Sequence, residues 1–119
     1  MTAREEVRVF NDEFSAAAAR GDAKALVDMY DDEAVFLMAG LPNVKGREEL
    51  TKLFDEFLAK GPVEMAFESG DVWESGDLIV DVGTTAAGGN PGRYVVVYRR
   101  QSDGSLAMLV DAPIRSAEA

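Results

Sequence analysis

GDAKALVDMYDDEAVFLMAGLPNVKGR, residues 21–47, decides the fold of this chain. Ala25, Leu26 and Met29 predict a short helix over about 23–30. Gly21 suits the C-terminal cap of a preceding helix, and Asp22 suits the N-cap of this one. Asp31, Asp32 and Glu33 read as an acidic turn, and Ala34 to Met38 as an apolar strand. A loop with Gly40, Pro42 and Gly46 then leads into another helix.

Upstream, residues 3–20 carry Val7, Phe10, Phe14 and Ala17 or Ala18 at three- and four-residue spacing, which predicts an amphipathic helix. Downstream, a third helix over about 47–59 puts Leu50, Leu53, Phe54, Phe57 and Leu58 on one face and stops at Gly61-Pro62. Beyond Pro62 the pattern turns to β, with strands expected at 63–69, 71–75, 78–86, 93–101 and 105–115. Ser69-Gly70-Asp71 and Ser75-Gly76-Asp77 read as turns, Gly88 to Gly92 as a flexible hairpin loop, and Ser102 to Ser105 as a tight one. Helices followed by a strand meander give one α+β domain over 1–119, with a mainly antiparallel sheet. Ser116 to Ala119 are expected to fray.

The last strands also bear on assembly. Tyr94, Val96 and Tyr98 alternate with Val95 and Val97, while Leu106, Met108, Val110, Ala112 and Ile114 alternate with Ala107 and Leu109. Apolar residues on both faces imply that both faces are covered. Three helices cover one face, so a second copy of the chain is expected on the other, making a homodimer. The alternative is an apolar surface patch without a partner.

Composition restricts the chemistry. The 119 residues hold 22 acidic against 12 basic side chains, a formal charge of −10 that repels nucleic-acid backbones and anionic lipid surfaces. Cysteine is absent, which removes disulfides, thiolate nucleophiles and zinc–sulfur sites and suits a reducing cytoplasm. Histidine is absent too, so the usual neutral-pH base and imidazole metal ligands are missing. Catalysis, if any, rests on carboxylates, tyrosines, arginines, lysines or backbone groups; no metal and no cofactor is expected. No apolar run reaches membrane-spanning length.

The opening segment, Gly76-Asp77-Leu78 with Gly83, the run Tyr94 to Arg100, and Asp103-Gly104 followed by Asp111 together resemble the NTF2-like superfamily, in its SnoaL-like and DUF4440-like branches. The resemblance implies a cystatin-like cone: three N-terminal helices packed on a curved, mainly antiparallel sheet around a pocket. Ketosteroid isomerases of this superfamily use a tyrosine, an aspartate base and a protonated aspartate. Those positions align here with Phe14, Met38 and the neighbourhood of Val96, all apolar, so that mechanism is not implied. No Asp–Arg–Asp set of the limonene-epoxide hydrolase kind aligns either. SnoaL-type cyclases use a buried aspartate for an aldol step, and Asp111 matches that role by strand and surroundings.

Asp111 is one charge within Ala107 to Ile114, and in a pocket burial would raise its pKa and make it a usable acid or base. The competing reading is a carboxylate that accepts structural hydrogen bonds or lies at a dimer contact. Tyr94 and Tyr98 share a strand face with Val96 between them and would orient a ligand carbonyl or hydroxyl, or else fill the core. Tyr30 reads as a packing residue that also lines a pocket, and Trp73 as a packing residue that walls either the pocket or a dimer contact. Phe14, Phe36, Met38, Phe54, Phe57 and Met65 suit an apolar cavity wall and equally a solid core. The acidic runs Glu5-Glu6, Asp31 to Glu33 and Glu48-Glu49 read as solvated surface and helix N-terminal charge. The glycines of 88–92 lack the GK[ST] and strand-to-helix step of a phosphate loop. Three functions stay open: a binding protein for a hydrophobic small molecule of secondary metabolism, a cofactor-free cyclase or isomerase using Asp111, and a dimerisation module without ligand.

Overall fold

In a computed structural model, which describes residues 1–115, the helices form where the apolar spacing places them. The fraying expected of 116–119 lies outside the described residues. Helix α1 (Ala3–Ala19) starts on a Thr2–Glu5 capping box and buries Val7, Phe10, Phe14, Ala17 and Ala18 along one stripe. Gly21 takes φ +69°, and Asp22 accepts the Ala25 N–H to open α2 (Ala23–Asp28). That helix ends two residues before Tyr30, which begins strand β1 (Tyr30–Phe36). The acidic triplet is therefore strand and not turn. Asp31 is buried there because Arg99 and Gln101 bond its carboxylate from a neighbouring strand, so the expectation of a solvated carboxylate fails at this residue.

A short strand β2 (Val44–Lys45) precedes α3 (Arg47–Phe57). The segments expected at 63–69 and 71–75 are one strand, β3 (Met65–Ser75), because Gly70 is taken up in a register shift between Ser69 and Asp71. Strands β4 (Leu78–Ala87) and β5 (Asn90–Arg100) meet at a two-residue turn, Gly88-Gly89, both with positive φ. The long loop expected there is mostly strand. With β6 (Leu106–Arg115) they form a curved, open six-stranded sheet ordered β2-β1-β6-β5-β4-β3, antiparallel except where β1 lies parallel to β6.

The three helices pack on one face of this sheet, where Ile79, Tyr94, Val96, Tyr98 and Met108 join the core. The other face carries Trp73, Val80, Val97 and Val110 in one cross-strand row, with Val82, Val95 and Ala112 in the next. Trp73 is 57% exposed. Strict alternation along β6 does not hold. Tyr98 pairs with Met108 and Val96 with Asp111, so one extra residue is absorbed between them. This bulge is what puts Asp111 on the same inner face as Met108, where an unbroken period of two would have turned it outward.

Candidate functional site

Between helices and sheet lies a cavity of about 720 Å³, a size suited to a small organic molecule. Helix α1 supplies Phe10, Asn11 and Phe14; α3 supplies Leu53, Phe54 and Phe57; the sheet supplies Tyr30, Phe36, Phe67, Tyr94, Val96, Tyr98 and Met108. Met38 and Met65 close further parts of the wall, and residues 90–93 at the β4–β5 hairpin contribute too. Phe14 is the hub of the aromatic set, with edge contacts to Tyr30, Phe54 and Phe67 at centroid distances of 6.5, 6.2 and 5.8 Å. Of the aromatic and apolar residues expected at a pocket, only Trp73 stands apart. It points from the opposite sheet face into solvent, because its parity on β3 matches Val80 and not Ile79.

Asp111 reaches this cavity, and the Tyr30 hydroxyl donates a hydrogen bond to its Oδ2. No salt bridge reaches it among the described residues. Burial pushes its carboxyl up to about 6, with the Tyr30 bond pulling the other way. The same neighbours hold the Tyr30 phenol far above its ordinary range, through burial first and the Asp111 charge second. A carboxyl poised near neutrality in an apolar chamber is able to take or give a proton at physiological pH. Asp111 and Tyr30 were each visible in the sequence; their pairing, 81 positions apart, was not.

A second polar group adjoins the wall. Asp81 on β4 is fully buried, and its Oδ2 lies 2.8 Å from the Tyr94 hydroxyl and 3.1 Å from Ser69 Oγ. Burial raises its pKa, partly offset by those two contacts. The Tyr98 hydroxyl donates to Asn11 Oδ1 at 3.3 Å. Neither Asp81 nor Asn11 was anticipated. The signal for Asp81 was its parity: it shares the inward face of β4 with Ile79, Gly83 and Thr85 and is the one charged residue there. The charges of Arg99 and Arg100 lie outside the cavity, Arg99 on Asp31 and Glu33, Arg100 on Glu6 and Glu74. Among the described residues no cluster of His, Cys, Asp and Glu has the arrangement of a metal site, and no helix is long and apolar enough to cross a membrane.

Residues 11–108 match the family described as the SnoaL-like domain. No curated protein matches the sequence. Solved structures that resemble the fold include a putative calcium/calmodulin dependent protein kinase II association domain from Xanthomonas campestris, 23% identical, covering 100% of this chain and 91% of that one at a TM-score of 0.83. ActVI-ORFA from Streptomyces coelicolor is 16% identical, over 94% of this chain and 96% of that one, TM-score 0.81. An NTF2-like protein with a cystatin-like fold from Novosphingobium aromaticivorans is 19% identical, over 98% and 83%, TM-score 0.80.

Proposed function

The chain belongs to the SnoaL-like domain family of the NTF2-like superfamily, and from that premise we propose that it binds a hydrophobic small molecule in the cavity between its helices and sheet. The observation that carries this reading is the cavity itself. It offers about 720 Å³ behind a wall mainly of Phe, Met, Val and Tyr, with Asn11, Thr85, Asn90, Arg93 and Asp111 as its polar members. A dimerisation module without ligand gives no reason to leave that volume empty of side chains, since empty apolar space is destabilising. The test is a melting-temperature series with bicyclic aromatic compounds, beginning with 1-tetralone. A ligand present at a hundred times its Kd stabilises the folded form by about 2.7 kcal/mol, a readily measured rise in Tm. No rise with any such compound at solubility-limited concentration would refute the reading.

A second reading, proton transfer, is favoured by the Asp111–Tyr30 pair. As the carboxylate, Asp111 would remove a proton from a carbon beside a ligand carbonyl, the C–H electron pair forming the enolate. Its acid form would return that proton to carbon in an isomerisation, or to the alkoxide oxygen of an intramolecular aldol closure. Deuterium exchange at C2 of bound 1-tetralone tests it: the native protein accelerates exchange and Asp111→Asn does not. Tetralone bound without acceleration would refute the shuttle.

The outer sheet face, with Trp73, Val80, Val97 and Val110 in one row, is assigned to a second copy of this chain. A closed two-fold pairing buries the same row on both partners. Sedimentation giving a monomer at micromolar concentration would refute it.

A further inference from the structure

Asp111 commits one oxygen to the fold and offers the other to the cavity. The Tyr30 hydroxyl donates to Oδ2, while Oδ1 accepts no hydrogen bond among the described residues. Nor is Oδ1 sealed in. Asp81 Oδ1 is the fully buried side-chain oxygen without a partner among the described residues, so Asp111 Oδ1 keeps exposed surface, and the space beside it is the cavity. A carboxylate among apolar walls is costly until a cation pairs with it. Among the described residues none does. From β1 and β5 its titratable neighbours are the phenols of Tyr30 and Tyr98, α1 brings the neutral Asn11, and α3 brings Leu53, Phe54 and Phe57. Arg93 meets the cavity only at its rim. It is exposed, has the outward parity of Val95 and Val97, and stands three residues along β5 from Val96, the strand partner of Asp111. That separation is about 10 Å along the strand, beyond the screening length of about 8 Å in physiological salt.

The walls suit a cation. Phe14, Tyr30 and Phe54 form a closed triangle with ring centroids 6.5, 5.7 and 6.2 Å apart. All three line the cavity, and Tyr30 is also the residue that holds Asp111. Aromatic faces attract an ammonium, most strongly where water is excluded. At long range the formal charge of −10 draws cations towards the chain and repels anions. A hydrocarbon uses neither the free oxygen nor this field. We propose that the cavity takes an apolar amine, bound as its ammonium with the nitrogen on Asp111 Oδ1 and the hydrocarbon body among the aromatic walls. This rests on the cavity being a ligand site and is independent of the proton transfer. The two engage the same carboxyl, so an amine and a reacting ketone exclude one another.

The probes are 2-aminotetralin, 2-tetralol and tetralin, which share one skeleton and carry an ammonium, a neutral hydroxyl and a hydrogen at the same carbon. Calorimetric titration at pH 8 should give the amine a Kd about tenfold to a hundredfold below that of tetralin, as a hydrogen bond between charged groups allows, with the alcohol between them. The amine stays protonated throughout, as aliphatic amines do below about pH 10. Burial holds the free Asp111 carboxyl at about 6, and pairing with the ammonium lowers it, so the amine's advantage is full above that value and declines as pH falls through it. At pH 5 the amine should bind about tenfold more weakly than at pH 8 and release about one proton, while tetralin does not weaken. Asp111→Asn should bring amine and tetralin together at both pH values. Four results would overturn the proposal while leaving the cavity reading intact: tetralin as tight as the amine, the alcohol as tight as the amine, an amine advantage undiminished at pH 5, or one that survives in folded Asp111→Asn. Should Asp111→Asn not fold, the native series at the two pH values still decides. If none of the three compounds binds, the cavity reading falls and this inference falls with it.

Discussion

Replacing Asp111 by Asn should stabilise the protein at high pH and not at low pH. The Asn side chain keeps the shape and can still accept the Tyr30 hydroxyl, but it never has to carry a buried charge. The folded carboxyl sits at about 6; in the unfolded chain it sits at about 3.9. Because the folded value is the higher one, the folded state holds more protons between those limits, and stability falls as pH rises through them. The displacement of about 2 units corresponds to about 3 kcal/mol, fully expressed above pH 6 and nearly absent below pH 4. About 0.5 kcal/mol of it is already lost at pH 4, so the advantage of Asp111→Asn should grow by about 2.5 kcal/mol between pH 4 and pH 8. Urea denaturation of both proteins at several pH values measures this. Subtracting one curve from the other cancels every other titrating group and any fixed cost of the amide. A pH-dependent growth below about 1 kcal/mol, or a change of the opposite sign, would refute the claim that Asp111 is a desolvated carboxyl near neutrality.

Three further outcomes are expected. Arg99 holds Asp31 down at about 2, so Arg99→Ala should raise that carboxyl and cost stability at neutral pH. Since the folded value in the native protein lies below the unfolded one, the deficit should close as pH falls from 4 towards 2, which acid-titration denaturation will show. Gly83→Ala drives a Cβ into Tyr94 Oη and still closer to the Glu68 carbonyl, and should cost about 1–3 kcal/mol by urea denaturation; a cost under about 0.5 kcal/mol would contradict the close approach. Val97→Arg places a charge in the middle of the outer apolar row, and sedimentation should then give a monomer where the native protein gives a dimer.

What the sequence made legible follows the strength of the period. Phe10, Phe14, Leu50 and Phe54 mark their helices because the apolar stripe repeats over several turns. The inner face of β5 is just as plain in Tyr94, Val96 and Tyr98. What escaped were events of long range or of one residue. Asp31 looks like surface until Arg99, 68 positions away, arrives beside it. Gly70 looks like a turn until β4 pairs across it. The orientation of Asp111 depends on a single bulge in β6, which no alternation pattern contains. Asp81 was legible by parity, but the oxygen it leaves without a partner is a property of the packed structure alone.

The parallel pairing of β1 with β6 has a consequence for how the chain folds. Tyr30 lies in the first quarter of the sequence and Asp111 near the end of the described residues, so their contact closes a loop of about eighty residues that gains nothing until the final strand docks. A nascent or truncated chain lacking β6 would have neither a closed cavity wall nor the carboxyl–phenol pair. A cavity ligand would therefore recognise only chains in which β6 has docked beside β1, and would act as a selective reporter of finished folding.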